Sequence, residues 1–188
     1  MDFLYPMCNL IHNTFDERIA PNDLGRFYCD VFDAWFDEGN PEVYIRSLHD
    51  WCMLLMGGRT VMCHSKTDCS YVLTINTDGT IHCCDDLTPF TDSLLGHVIS
   101  DSFSSIEENE RLTRLGKMDV LFGKECLECE YFPVCKGGCT LFRAKAKGDF
   151  TARNYYCESQ KIIVKHIRET FDIMAARYQA AYVHKLTK

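Results

Sequence analysis

The sequence predicts an α+β fold, a small irregular domain with one β-hairpin, flanked by helices. Three observations carry that prediction. Apolar residues recur at helical spacing toward both ends of the 188-residue chain. One stretch, from Tyr71 to Cys83, alternates apolar and polar residues around a turn sequence. The region from Cys63 to Cys157 holds nine of the 12 cysteines, eight of them in two blocks of short, fixed separations, and little regular structure fits between them.

Phe3-Leu4-Tyr5-Pro6 reads as a short buried strand ended by proline. A helix is expected near residues 22 to 38, with Leu24, Phe27, Tyr28, Val31, Trp35 and Phe36 at helical spacing. Pro21 and Asn22 stand at its entrance and Gly39 at its exit, and the aromatic stripe reads as core packing. Val43-Tyr44-Ile45 is too short to assign. Ser47 is the expected cap of a second helix, which carries Leu48, Trp51, Cys52 and Leu55 on one face and stops at Gly57-Gly58. In the hairpin, Tyr71, Leu73 and Ile75 alternate, Asn76 to Gly79 turn the chain, and Ile81 and Cys83 resume the pattern. Ser104 and Glu107 resemble a capping box opening a helix through Leu112 and Leu115. From about Asn154 to His184 a long helix is expected, striped by Ile163, Ile167, Phe171, Met174, Tyr178 and Tyr182.

Lys and Arg total 20 against 27 Asp and Glu, a net charge of −7 that argues against nucleic acid as a partner. No apolar run approaches the roughly 20 residues that cross a bilayer. Met1 to Pro6 has no basic segment of the kind that opens a signal peptide. Many cysteines without a secretion signal point to a reducing compartment, the cytoplasm, where clustered thiols bind metal more often than they form disulfides.

The cysteines fall into two blocks. The first runs Cys63, Cys69, then Gly79 and Cys84; the second is Cys126-x2-Cys129-x5-Cys135-x3-Cys139, with Cys157 following. A tight turn at Gly79 would set Cys69 and Cys84 side by side, and Cys63 can reach the same place if its segment loops back. Cys126, Cys129 and Cys135 are near enough in sequence to share a site. Gly137-Gly138 would let the backbone before Cys139 approach a bulky inorganic ligand. If Cys139 crosses to the first block, as the last cysteine does in two-cluster ferredoxins, Cys157 completes the second and two four-thiolate sites result. Iron–sulfur clusters and zinc both remain open on spacing. Zinc hairpins usually pair two Cys-x2-Cys units, and only one such unit occurs here.

Cys69-x9-Gly79-x4-Cys84, then Cys126-x2-Cys129-x5-Cys135-x3-Cys139 and Cys157, resembles the seven-cysteine SPASM motif of radical SAM enzymes that modify peptides and proteins. Cys63 resembles the additional upstream ligand of the anaerobic sulfatase maturases, whose spacings the chain follows. The resemblance implies two auxiliary 4Fe-4S clusters. Cys63, Cys69, Cys84 and Cys139 would hold the first, and Cys126, Cys129, Cys135 and Cys157 the second. It implies a peptide or protein substrate, and for Asp85, which directly follows Cys84, the role of base in substrate oxidation. A turn or capping aspartate is the plainer reading of Asp85, given Asp86 beside it. Leu95-Gly96-His97-Val98 resembles a Leu-Gly-Asn-Ile segment of the family, with His97 a departure.

The resemblance also divides the chain. Residues 1–62 would be the edge of a core plus a helical linker, 63–157 the two-cluster domain, and 158–188 a C-terminal helix. Radical SAM cores bind their own cluster through Cys-x3-Cys-x2-Cys, and no such spacing occurs here, because Phe142 stands where a third cysteine would follow Cys135 and Cys139. Met1 to Pro6 resembles a last barrel strand, so the chain is expected to begin where a catalytic core would end. S-adenosylmethionine would belong only to a complete enzyme, and this chain alone is not expected to be active.

The expected function is the auxiliary-cluster half of a peptide or protein maturase, taking electrons from an oxidised substrate and helping to position it. Its partners would be that substrate and a separate radical SAM core or redox protein. The alternatives are a free-standing two-cluster electron carrier and a structural zinc module. Cys52 reads as a small core residue, and Cys83 as pointing to the opposite strand face from Cys84. Cys8 and Cys29 are unassigned. His64 and His82 read as surface histidines, and Lys124 and Lys136 as solvated lysines near the second block.

Overall fold

Two helices far apart in sequence brace the molecule. In the computed structural model, which describes residues 1–3, 19–38, 43–66, 68–117, 122–143 and 150–186, with side chains to residue 176, α1 (Pro21–Glu38) packs along α7 (Cys157–Leu186). Leu24, Tyr28 and Phe32, four apart, form the buried ridge of α1. A Cβ on Gly25 would lie 3.1 Å from the Ile162 side chain, so glycine sets how closely the helices approach. Further along, the Phe32 ring meets His166 edge-on at 5.8 Å, and His166 Nε2 lies 2.6 Å from Asp33 Oδ1. Phe32 rather than Phe27 completes the ridge. Phe27 is 42% exposed and turns its ring toward Phe3 instead.

On α7, Ile163, Val164 and Ile167 are fully buried and Phe171 is partly so. Met174 is already 47% exposed, so the core-facing part of the stripe ends before it. The side chains of Tyr178 and Tyr182 lie outside the described residues, as do Leu4 to Pro6, Cys8 and Gly39.

Helix α2 (Arg46–Leu55) buries Leu48, Trp51 and Cys52, with Trp51 edge-on to Tyr28 at 5.2 Å. Ser47 is not its cap. It lies inside the first turn, after Ile45, and the free N–H groups find partners from a distant segment. Arg46 N donates to Met1 O at 3.1 Å, and Ser47 N to Asp2 Oδ1 at 3.4 Å. A carboxylate at a helix N-terminus satisfies orphan donors and the helix dipole together. No spacing rule along the chain reveals such a cap.

The hairpin forms as the alternation predicts. Strand β1 (Leu73–Ile75) pairs antiparallel with β2 (Thr80–Cys83), with Leu73 opposite Cys83 and Ile75 opposite Ile81. Gly79 turns the chain at φ +89°. A third strand, β3 (Leu94–His97), joins the other edge of β2 with an irregularity between Ile81 and His82, giving the order β1-β2-β3. Periodicity misses it because Leu94 to His97 is short and contains glycine. Gly96 is needed where it stands, since a Cβ there would come within 2.6 Å of Ile106.

The capping box at Ser104 and Glu107 is also replaced. Two short helices form, α3 (Phe103–Glu107) and α4 (Glu110–Leu115). Ser102 accepts from Ser105 N at 3.1 Å, and Asn109 accepts from Arg111 N at 2.9 Å. Ile106, Leu112 and Leu115 close this side of the core. Among the described residues, the cysteine-rich stretch that follows holds only α5 (Lys124–Leu127), α6 (Phe132–Cys135) and 3₁₀ turns before α7. Among the described residues no helix is long and apolar enough to cross a membrane.

Candidate metal centres

The hairpin and the two single-turn helices bring the eight cysteines to two cavities. Cys84 N donates to Val72 O at 3.1 Å, just before β1, and Cys69 N donates to Leu115 O at 2.9 Å, at the end of α4. Cys63 opens a 3₁₀ turn, Cys63–Ser65, that returns its chain to the same place. Cys139 joins them from the second block. Cys63, Cys69, Cys84 and Cys139 all line one cavity of about 180 Å³, with Asp85 and Tyr71 at its walls.

Cys126 on α5, Cys129 after it, Cys135 ending α6 and Cys157 opening α7 line a second cavity of about 150 Å³. All cysteines among the described residues are free.

The geometry of the sulfurs bears on what fits. Four thiolates around one zinc at about 2.3 Å would stand roughly 3.8 Å apart. Among the described residues, the one set of three Cys, His, Asp or Glu side chains whose ligand atoms all lie within 4.8 Å of one another is Cys84, Asp85 and Asp86. In neither cavity do three sulfurs gather that closely. The all-thiolate donor set in each cavity suits a thiolate-bound metal centre.

Two non-glycine residues beside the cavities, Cys84 and Lys136, adopt positive φ. Cys84 sits at φ 72°, ψ 136°, a combination that L-residues rarely adopt. Lys136, Gly137 and Gly138 follow one another at positive φ, turning the chain sharply between Cys135 and Cys139. The two glycines make room for neighbouring side chains. A Cβ on Gly137 would meet Phe122 at 2.9 Å and Arg143 at 3.0 Å, and one on Gly138 would meet Asn154 at 2.6 Å.

Burial pushes the Cys84 and Cys135 thiols up to about 11 and the Cys139 thiol up to about 12, and raises Cys69 as well. Backbone N–H groups of Asp86, Gly137 and Leu141 point at Cys84, Cys135 and Cys139 and work against that rise. Thr140 Oγ1 lies 3.1 Å from Cys69 Sγ. Donors around buried sulfur favour a charged sulfur and help set the potential of a thiolate-bound centre.

Asp85 is exposed at the rim of the first cavity, its Oδ1 3.6 Å from Cys84 Sγ. Burial, with the Asp85 charge adding to it, raises the neighbouring Asp86 carboxyl. Both carboxylates flank the first turn after Cys84, in the 3₁₀ segment Asp85–Leu87.

His82 is not a surface residue. It is 6% exposed, its Nδ1 2.9 Å from Ser93 Oγ, and burial lowers its pKa. His64 is also largely enclosed, with burial again lowering its pKa. Cys83 points away from the first cavity into the core, and Cys52 is buried on α2. Cys29 is half-buried with its Sγ 4.0 Å from Ile162 O. Lys124 is exposed, and Lys136 Nζ lies 5.8 Å from the Phe132 ring centre.

Spacing rules do not find the polar groups that meet the sulfurs. Tyr71 lines the first cavity with Cys63, and Arg153 lines the second with Cys157. Arg143 Nη1 lies 3.8 Å from Cys126 Sγ. One signal was available for the last: Arg143 closes Cys139-Thr140-Leu141-Phe142, an otherwise apolar run next to a cysteine, where a charge needs a reason.

No family model matches the chain. Over 150 residues it is 25% identical to the cysteine-type anaerobic sulfatase-maturating enzyme of Clostridium perfringens, a match covering 78% of this chain and 40% of that protein. Over 162 residues it is 25% identical to the serine-type enzyme of Bacteroides thetaiotaomicron, covering 85% of this chain and 39% of that one. Among solved structures, native anSMEcpe with bound AdoMet superposes with a TM-score of 0.68 at 25% identity, over 84% of this chain and 43% of that one. Native anSMEcpe with bound AdoMet and Cp18Cys peptide gives 0.65 at 26% identity, over 85% of this chain and 44% of that one. The chain thus spans about two fifths of the length of the curated relatives it matches.

Proposed function

We propose that this homologue of the anaerobic sulfatase-maturating enzymes serves as the auxiliary-cluster part of a peptide- or protein-modifying radical SAM system in the cytoplasm. The observation that carries the reading is the pair of cavities, each lined by four cysteines. Cys63, Cys69, Cys84 and Cys139 would hold one 4Fe-4S cluster, and Cys126, Cys129, Cys135 and Cys157 another. The single Cys-x2-Cys unit weighs against the zinc reading, since zinc hairpins usually pair two.

In this reading a substrate radical, generated by a radical SAM core that this chain does not encode, is oxidised beside the first cavity. Such a step releases one electron and one proton. The clusters supply the one-electron acceptor. Asp85 takes the proton at a carboxylate oxygen: it is exposed at the cavity rim and adjoins a ligand cysteine, so a peptide laid across the rim can reach it. Tyr71 and Lys66, whose Nζ lies 4.6 Å from the Tyr71 ring centre, line the same cavity and would orient that peptide.

Anaerobic reconstitution with iron and sulfide tests the proposal. The expected result is about eight iron atoms per chain with brown thiolate-to-iron absorbance. Stoichiometric zinc with no iron uptake would sink it.

A further inference from the structure

Arg143 is the one fully buried cation among the described residues, at 1% exposure. It ends the 3₁₀ segment Thr140–Arg143, directly after Cys139, and its side chain runs toward the other cavity. Nη1 donates to Gly137 O at 3.0 Å and reaches Cys126 Sγ at 3.8 Å. Nε donates to Phe150 O at 3.4 Å, and the guanidinium lies 4.2 Å from the centre of the Phe122 ring.

A buried guanidinium needs a counter-charge, because carbonyls and a ring face do not neutralise it. Among the described residues no carboxylate forms a salt bridge with Arg143. The anionic group it does reach is the Cys126 sulfur, once that sulfur is a thiolate. The contacts are specific to this place: a side chain on Gly137 would press on Nη1, so the glycine and the arginine share one small volume.

We propose that Arg143 is the internal counter-charge of the Cys126, Cys129, Cys135 and Cys157 site, anchoring its ligand loop and raising the reduction potential of the cluster held there. The inference rests on the cluster reading above. A fixed positive charge beside a cluster favours its reduced, more negative state, and an N–H donor to a ligand sulfur acts in the same direction. The first cavity has the opposite surroundings, with Asp68, Asp85 and Asp86 around it and Lys66 the lone cation of its lining. Arg143, together with Arg153 and Lys161 against Glu125 in the lining of the second cavity, makes that site the better electron acceptor of the two.

The test uses the full chain reconstituted anaerobically, with Arg143→Gln and Arg143→Lys compared by iron content and by redox titration followed by electron paramagnetic resonance. A Cys84→Ala background, which removes the first cluster, isolates the second signal. The expected result is a more negative midpoint potential in Arg143→Gln, returned toward the original value in Arg143→Lys. Loss of the second cluster in Gln but not in Lys supports the same role. An unchanged potential in Arg143→Gln with full iron content overturns the proposal, as does equal loss of iron in both variants, which would mark a packing role. No iron in the unsubstituted chain overturns the cluster reading itself, and this inference with it.

Discussion

The side-chain amide of Asn154 donates to the backbone carbonyl of Cys139 at 3.1 Å, tying the end of one cysteine block to the residues that open α7. Asn154 Oδ1 meanwhile accepts from Tyr156 N at 2.8 Å, one residue before Cys157. A single buried asparagine thus positions one cysteine of each cavity.

Removing that link should loosen both sites. Asn154→Ala leaves a buried carbonyl and a buried N–H without their partner, at a cost of about 1–3 kcal/mol. Gly138→Ala should cost a similar ~1–3 kcal/mol, since it places a Cβ against Asn154 at a residue with φ +70°. Urea unfolding of the reconstituted chain measures both, and iron analysis should show faster loss of iron in each variant.

Cysteine substitutions should reveal which sulfurs act together. Cys84→Ala and Cys139→Ala are expected to remove the same cluster, about four iron atoms in each case. The double variant should lose no more than either single one. Cys126→Ala and Cys157→Ala should remove the other. If Cys139→Ala instead abolished the same paramagnetic signal as Cys126→Ala, the grouping across blocks would be wrong.

Asp85→Asn should separate chemistry from cluster binding. With a radical SAM core supplied in trans, substrate turnover should fall at least about 100-fold, the scale of a lost general base, while iron content stays unchanged. Turnover equal to the original protein would return Asp85 to a turn residue.

Asp2 supplies the pH dependence. Burial raises its carboxyl, but the polar groups of Ser47 and Arg46 more than offset this, and its pKa in the folded chain is lowered. A depressed carboxyl contributes stability that is present above its unfolded value near 3.8 and is lost as pH falls toward the folded value. Asp2→Ala should therefore cost about 0.5–2 kcal/mol at neutral pH, the range for a lost helix cap. The difference from the original protein should vanish in strong acid, as thermal unfolding across pH would show.

Much of the fold was legible because its signals are local. The hairpin follows from the alternation of Leu73, Ile75, Ile81 and Cys83 around Gly79, and α1, α2 and α7 follow from apolar residues repeating every three or four positions. Where the signal was not local, the reading missed. Ser47 and Ser104 have the right chemistry for caps, but Asp2 caps α2 through space and Ser102 wins α3 by lying two positions earlier. Strand β3 exists because β2 offers it an edge, not because Leu94 to His97 favours extension.

The cysteines divide along the same line. Their spacing by itself marked eight of them as a metal-binding set, because thiolates so close in sequence cannot stray far from one another. The tertiary structure put Cys139 in the cavity of Cys63, Cys69 and Cys84, as the resemblance implied, and it alone brought Arg143 to Cys126. Those are distances between segments that only the folded core holds together. Along the chain Arg143 follows Cys139, yet in space it serves the other site.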